Sequence, residues 1–200
     1  MTLRDDKKAQ TRSALRAAAL RLFRRQGFDG TTVDEIAAEA GVSRTTFFRY
    51  YPTKEAVVFD RGREIGEVFR QWIAERPRRE NPLEAFEGAL LALAREARKD
   101  PELARESLAM EELFRRNPAL RRRQTELTQE QVALIAQALA DRDGGPVDAE
   151  HRLAAAIGLV VSQDVRDLWH QSGGTADVEA LLRRHFATIR ALTGAGGSKR

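Results

Sequence analysis

The stretch that decides the fold is Thr31-Thr-Val-Asp-Glu-Ile-Ala-Ala-Glu-Ala-Gly-Val-Ser-Arg-Thr-Thr-Phe-Phe-Arg-Tyr-Tyr-Pro-Thr-Lys54. Thr32 and Glu35 have the spacing of a capping box, in which each side chain accepts a hydrogen bond from a free backbone N–H at a helix start. Gly41 can end this first helix in the left-handed conformation, and Ser43 can cap a second one. The pattern predicts a helix-turn-helix, whose second helix would read DNA.

The second helix of this pattern divides its side chains between a core and a solvent face. Phe47 can pack against the apolar positions of the first helix, which leaves the neighbouring side chains pointing outward. The outward positions are Arg44, Thr45, Phe48 and Arg49. The alternative is an ordinary helical hairpin whose arginines are only solvated, because helix-turn-helix patterns alone are weak signals.

Two runs of this sequence resemble the TetR family of bacterial transcriptional regulators. One is Gly41-Val-Ser-Arg-Thr-Thr-Phe-Phe-Arg-Tyr-Tyr-Pro-Thr-Lys-Glu55, and the other is Ala18-Ala-Leu-Arg-Leu-Phe-Arg-Arg-Gln-Gly-Phe-Asp-Gly-Thr-Thr-Val-Asp-Glu-Ile-Ala37. The resemblance covers about residues 8–60; the remainder is similar to the family only in its helical character. It implies that Lys54 contacts a DNA phosphate, as the lysine at this position commonly does in the family.

We expect the candidate DNA-binding residues to divide between base edges and phosphates. They are Thr32, Ser43, Arg44, Thr45, Thr46, Phe48, Arg49, Tyr50 and Lys54. Arg44 and the two threonines that follow would approach base edges at the start of the reading helix. Phe48 stands where the family usually has a tyrosine whose hydroxyl reaches phosphate. Its ring could contact a thymine methyl group, and Tyr50 or Tyr51 could supply the missing hydroxyl.

Composition and charge favour a cytoplasmic, helix-rich protein that binds an anionic partner. The chain has no cysteine, no apolar run of the ~20 residues that cross a bilayer, and no apolar segment typical of a signal peptide at its start. Residues 1–54 contain eleven Lys or Arg and six Asp or Glu, a balance of +5, whereas residues 55–200 contain 23 and 24, a balance of −1. A membrane-surface helix is the less favoured explanation, because the basic residues alternate with capping and turn residues.

Helical periodicity continues along the rest of the chain, and no alternating β-branched run occurs. The sequence therefore predicts an all-α protein with a three-helix head joined by a long helix to a helical bundle. We expect a DNA-binding domain at 1–53, a ligand-binding and dimerisation domain at 54–193, and a disordered tail at 194–200.

The last two predicted helices, at 148–171 and 176–193, form a candidate dimerisation hairpin. The first is apolar on more than one side and carries small residues, among them Gly158, that would permit close helix approach. Pairing the hairpin with a second copy gives a four-helix interface, the arrangement that the TetR resemblance implies. The candidate interface residues are Leu153, Ile157, Val160, Val161, Leu168, Leu182, Phe186 and Ile189.

The three helices between residues 82 and 139 carry more large apolar side chains than their mutual packing requires, and Phe69 and Trp72 on the linking helix point toward them. We expect an apolar cavity for a small lipophilic effector, whose candidate residues are Phe69, Trp72, Phe86, Leu90, Leu93, Met110, Leu113, Phe114 and Trp169. The alternative is a solid core. The segments Thr46-Phe-Phe-Arg-Tyr50 and Asn117-Pro-Ala-Leu-Arg121 are similar to a branch of the family associated with long acyl-CoA-like ligands, which implies an effector of that kind.

Catalysis is the function class that the sequence disfavours. The three histidines are scattered, no serine lies in a nucleophile elbow, and the paired glycines follow no strand, so we expect no catalytic residue, metal site or cofactor. We predict a homodimeric transcriptional regulator, a repressor that binds a palindromic DNA operator and is released by a small effector. The alternative is a helical dimeric interaction protein whose head does not bind DNA.

Overall fold

The described residues fold into helices joined by turns and loops, as the sequence predicts. The computed structural model describes residues 3–194, with side chains at residues 7–60, 66–100, 104–128 and 130–194. No strand occurs within 3–194, and no helix there is long and apolar enough to cross a membrane. The helices are α1 Leu3–Gln26, α2 Val33–Glu39, α3 Arg44–Tyr50, α4 Lys54–Ala74, α5 Pro82–Arg98, α6 Pro101–Arg116, α7 Pro118–Asp143, α8 Ala149–Gln171 and α9 Val178–Gly194.

By packing, the chain divides into two compact units. The first contains Met1–Glu64 and Ala109–Gln124, and the second contains Ile65–Leu108 and Thr125–Arg200. The end of α6 and the start of α7 therefore belong to the same unit as the predicted head. The functional boundary after residue 53 stays a prediction. Residues 195–200 of the predicted tail lie outside the described residues.

The core of the first unit is built on α1. Leu15, Ala18, Ala19 and Leu22 recur at helical spacing and are almost fully buried, so α1 presents one continuous apolar face. Helices α2 and α3 pack on this core through further buried side chains, which are Ile36, Ala37 and Phe47. The end of α6 contributes Phe114, whose ring stacks on Phe59 of α4 with centroids 5.7 Å apart.

The core of the second unit is centred on Phe86 of α5. Its side chain has no exposed surface and makes an edge contact with Phe69, with ring centroids 5.2 Å apart. A Cβ atom at Gly158 of α8 would lie only 1.6 Å from the Phe86 ring. The small residue at 158 therefore permits a close helix approach, as the sequence predicts, and the approaching helix is α5 of the same chain.

Candidate DNA-binding site

Local capping interactions set the positions of α2 and α3. The backbone N–H of Glu35 donates to the Thr32 hydroxyl at 3.2 Å, and the N–H of Thr32 donates to the Glu35 carboxylate at 2.8 Å, which completes the predicted capping box. That backbone hydrogen bond contributes most to holding the pKa of Glu35 below its ordinary value. Ser43 caps α3 by accepting a hydrogen bond from the N–H of Thr46 at 3.1 Å.

The turn between α2 and α3 fixes the angle at which α3 leaves the core. Gly41 has φ of +69°, in the left-handed region that the sequence predicts for this position. The N–H of Val42 then donates to the carbonyl of Ala37 at 2.9 Å, while Phe47 is fully buried below. With one face fixed in this way, the opposite face of α3 is left to solvent.

The solvent face of α3 carries the predicted reading residues. Arg44, Thr45, Phe48 and Arg49 are exposed, and 44% of the Phe48 surface is accessible. The guanidinium carbon of Arg44 lies 5.3 Å from the centre of the Phe48 ring, and Arg44 also forms an ion pair with Asp34 of α2. These contacts orient an arginine beside an exposed aromatic ring at the start of α3.

The remaining polar candidates lie at the edges of this face. Thr32 is exposed at the start of α2, whereas Thr46 and Tyr50 are half-buried. The hydroxyls of Ser43 and Thr46 are 3.0 Å apart, and the guanidinium group of Arg49 lies over the Tyr50 ring at 5.4 Å. Each of these groups keeps part of its surface open to a ligand, and their DNA contacts stay predictions.

Lys54 has a structural role that the sequence did not indicate. Its ammonium group donates to the carbonyl oxygens of Phe28 at 2.8 Å and Thr31 at 3.0 Å, and it lies 4.4 Å from the centre of the Phe28 ring. The start of α4 is thereby attached to the turn between α1 and α2. An ammonium group has three N–H donors, so one of them is not committed to these carbonyls.

A buried ionic network joins α1, the end of α3 and α4. Asp60 is 1% exposed and accepts hydrogen bonds from the Tyr51 hydroxyl at 2.6 Å and from Nε of Arg12 at 2.8 Å. Arg12 also pairs with Asp60 through a second nitrogen, and Arg16 lies 3.9 Å from the same carboxylate. Tyr51 is buried here, which corrects the expectation that its hydroxyl could reach phosphate.

The charges of this network are consistent with its geometry. Burial raises the pKa of Asp60, but the hydrogen bonds from Arg12 and Tyr51 and the nearby arginine charges outweigh burial and leave the pKa below its ordinary value. Burial, together with the hydrogen bond to Asp60, raises the pKa of Tyr51. The hydrogen bond to Asp60 raises the pKa of Arg12 as well. The network therefore holds an ionised carboxylate inside the first unit.

The first unit has a larger excess of positive charge than residues 1–54 alone, whose balance is +5. Residues 1–64 contain thirteen Lys or Arg and nine Asp or Glu, and residues 109–124 contain five and two, so this unit has a balance of +7. The whole chain has a net charge of +4, which leaves −3 for the second unit. A basic unit of this kind favours binding to a phosphate backbone.

Comparisons with known proteins now place the chain. Residues 15–60 match the family model of the bacterial regulatory proteins of the tetR family, and residues 80–193 match that of the MftR C-terminal domain. The HTH-type transcriptional regulator TcmR of Streptomyces glaucescens is 35% identical over 189 residues, which cover 90% of this chain and 81% of that protein. The chain belongs to the TetR family. It is therefore a DNA-binding transcriptional regulator and not an enzyme, as the sequence predicts.

Solved structures of other TetR-family proteins share the fold. Thermus thermophilus FadR in complex with lauroyl-CoA is 28% identical with a TM-score of 0.51, and the match covers 88% of this chain and 91% of that one. NalD, the secondary repressor of the MexAB-OprM multidrug efflux pump in Pseudomonas aeruginosa, has a TM-score of 0.58 at 20% identity, over 90% of this chain and 96% of that one. Both similarities show that this chain shares the fold of these proteins.

The eight residues predicted for a TetR-type dimer interface divide by burial. Val161, Leu182 and Phe186 lie in the core of the second unit, at 5%, 3% and 0% exposure. They pack within their own chain, so this structure does not offer them to a second copy. Leu153 and Val160, by contrast, are 61% and 69% exposed on α8. The half-buried candidates are Ile157, Leu168 and Ile189.

The nine residues predicted for an effector cavity do not form one cluster. Phe69, Trp72, Phe86, Leu90 and Leu93 belong to the core of the second unit. Three others belong to the core of the first unit, because the end of α6 packs there; they are Met110, Leu113 and Phe114. The remaining one, Trp169, is half-buried near the end of α8 and lies against Gly174. The prediction that one cavity gathers all nine is therefore wrong for the residues of α6.

Metal chemistry has no candidate centre in the described part of the chain. No group of three or more His, Asp or Glu side chains within it could hold a metal ion. Asp148 and His151 instead form the N-terminal cap of α8. The backbone N–H of His151 donates to the Asp148 carboxylate at 3.0 Å.

Proposed function

We propose that this TetR-family regulator is a homodimeric repressor that binds a palindromic operator and is released by a lipophilic effector. The observation that carries the proposal is the exposed basic and aromatic face of α3, held rigidly on a buried core. A dimer with two such helices would insert each one into a major groove, at half-sites about one helical turn or more apart.

The reading contacts would centre on the first turn of α3. Arg44 can offer two parallel N–H donors to the O6 and N7 atoms of a guanine, and the exposed Phe48 ring beside it can contact a thymine methyl group. In this account Asp34 holds the Arg44 side chain near the groove until a base replaces the carboxylate. Thr32, Arg49 and Tyr50 would then contact phosphate on either side.

The dimer would form through the exposed part of α8. Leu153, Ile157 and Val160 recur at i, i+4 and i+7, so they share one face of this helix, and two of them are more than half exposed. Leu192 of α9 is a further exposed apolar residue, at 74%. Burying such side chains against a second copy removes apolar surface from water at about 25 cal/mol per Å². Leu168 and Ile189 would lie at the rim.

The effector would be apolar with a long chain, and it would enter the second unit. Phe69, Trp72 and Leu93 belong to the apolar core of this unit, so a ligand that entered between them would meet the apolar surroundings that such ligands require. The FadR protein of Thermus thermophilus, at 28% identity, was solved with lauroyl-CoA. A DNA-binding role would keep the protein in the cytoplasm with the chromosome.

The test is to capture genomic DNA fragments with the purified protein and to sequence them. We expect enrichment of a palindromic site, and release of that site by micromolar acyl-CoA with a change in tryptophan fluorescence that is lost in Trp72→Phe. Failure to enrich any site would favour the interaction-protein alternative. Enrichment without release by any acyl-CoA would retain the repressor and reject the proposed effector.

A further inference from the structure

A cleft of about 740 Å³ opens within the first unit, between the α1–α2 turn and the end of α6. It has no part in the DNA contacts proposed above. Its lining combines apolar side chains, among them Phe23, Phe28 and Leu113, with Arg24, Arg116 and the two carboxylates of Asp29 and Glu112. Small-molecule sites have volumes of ≈300–1,000 Å³, so this cleft is large enough for one.

The charges around the cleft leave positive charge unpaired. Arg24 is exposed and forms no ion pair or hydrogen bond with the described residues. Arg116 is 74% exposed at its side chain and shares the Glu112 carboxylate with Arg115. Two arginines thus share one carboxylate on α6, and Arg24 of α1 has no ion pair with the described residues. An anion in the cleft would find available N–H donors from both sides.

The apolar part of the lining belongs to the packed core of the first unit. The rings of Phe23 and Phe28 lie 5.0 Å apart, and these rings and Leu113 on the opposite side are almost fully buried, so only a small part of each is accessible from the cleft. Asn117 donates across the cleft to the Asp29 carboxylate at 3.5 Å. A flat or short apolar body would therefore contact preformed walls, with its charged group toward the arginines.

We propose that this cleft is a second ligand site, which binds a small amphipathic anion with an apolar body and one carboxylate or sulfonate group. The floor of the cleft includes Phe28, whose carbonyl oxygen accepts the hydrogen bond from Lys54. The same turn leads into the cap of α2 at Thr32. A ligand here contacts the segment that holds α2 and α4 together, so its binding and DNA binding influence each other reciprocally. This coupling rests on the proposed function, whereas the site itself does not.

The probe is 8-anilinonaphthalene-1-sulfonate, titrated into the full-length protein while amide chemical shifts are followed by NMR. We expect saturable shifts at Gly27, Gly30 and Asn117. Arg24→Gln combined with Arg116→Gln should weaken this binding about tenfold, since both charged donors are removed. The matched control combines Lys8→Gln with Arg21→Gln, which removes two positive charges of α1 outside the cleft lining and should change affinity less than twofold.

Several results would overturn the site without reference to DNA. Shifts confined to the second unit, for example at Gly158, would place the probe elsewhere. Equal weakening in both double variants would mean that only general charge matters. If Arg24→Gln lowers thermal stability while the probe causes no shift at Gly27, the arginine serves only the negative end of the α1 dipole. If it weakens DNA binding with probe affinity unchanged, the arginine belongs to the DNA surface.

Discussion

Lys54 combines a predicted DNA contact with an observed structural one. Because its ammonium group donates to two backbone carbonyls, we expect Lys54→Ala to lower the free energy of unfolding by about 1.5–3 kcal/mol, the range for hydrogen bonds to a charged group. Urea denaturation followed by circular dichroism measures this. Arg49→Ala is the control, since Arg49 is exposed and stacks only on Tyr50. Equal unfolding midpoints for Lys54→Ala and wild type would reject the structural role.

Asp60 links stability to pH with a defined sign. Its folded-state pKa lies below the unfolded value, so its contribution is complete above about pH 4 and declines as the pH falls through the folded-state pKa. Asp60→Asn should lower the free energy of unfolding by about 3–5 kcal/mol at neutral pH, because it leaves buried charge without its partner. The gap between the two proteins should narrow at acid pH. A gap that is constant from pH 7 to about pH 3 would contradict this account.

Residues that act locally could be predicted from the sequence, and those that act across the chain could not. The caps at Thr32 and Ser43 depend on groups three residues away, so spacing alone indicated them. Arg12 and Asp60 are 48 positions apart, and nothing in either neighbourhood indicates their pairing. The sequence offers one indication that Asp60 is buried: it follows the apolar run Val57-Val58-Phe59 on α4, and Val57 and Val58 are buried in the structure.

At the scale of elements, the contact between α5 and α8 depends on one missing side chain. A Cβ at Gly158 would overlap the Phe86 ring, so Gly158→Ala should cost about 1–3 kcal/mol, as overpacked cores do. Gly66→Ala is the matched control, because its Cβ would meet nothing within 4 Å and alanine favours a helix. Urea denaturation distinguishes them. If Phe86→Leu does not rescue Gly158→Ala, the clash is not the cause of the loss.

Helix faces were harder to predict than helix bounds. Periodicity showed that α8 is apolar on several sides, but it could not say which side faces its own bundle. The structure turns Val161 inward and Val160 outward, although they are adjacent in sequence. Likewise, the sequence predicts a ligand cavity that includes Met110, Leu113 and Phe114 of α6, whereas these residues complete the core of the first unit. Tertiary packing decides which core a helix face contacts, and the residues of the helix itself do not indicate which core that is.

At the scale of the whole molecule, assembly is the property that operator binding requires. Val160 is 69% exposed, so Val160→Glu should leave the single chain folded but bury an unpaired charge in the proposed dimer. We expect monomers by analytical ultracentrifugation and weak binding to a palindrome. Leu134→Glu is the control, since Leu134 is 57% exposed on α7, outside the proposed interface. If Val160→Glu forms dimers with the same dissociation constant as the wild-type protein, the interface must lie elsewhere on the molecule.

The claim on which the rest depends is that the exposed face of α3 reads operator DNA. Fluorescence anisotropy with the captured operator and a scrambled duplex, at about 50–200 mM salt, tests it most directly. We predict that wild type prefers the operator, and that Arg44→Ala loses about 1–3 kcal/mol on the operator and much less on the scrambled duplex. Equal losses on both duplexes, or no loss on either, would contradict the assignment of α3 as the reading helix.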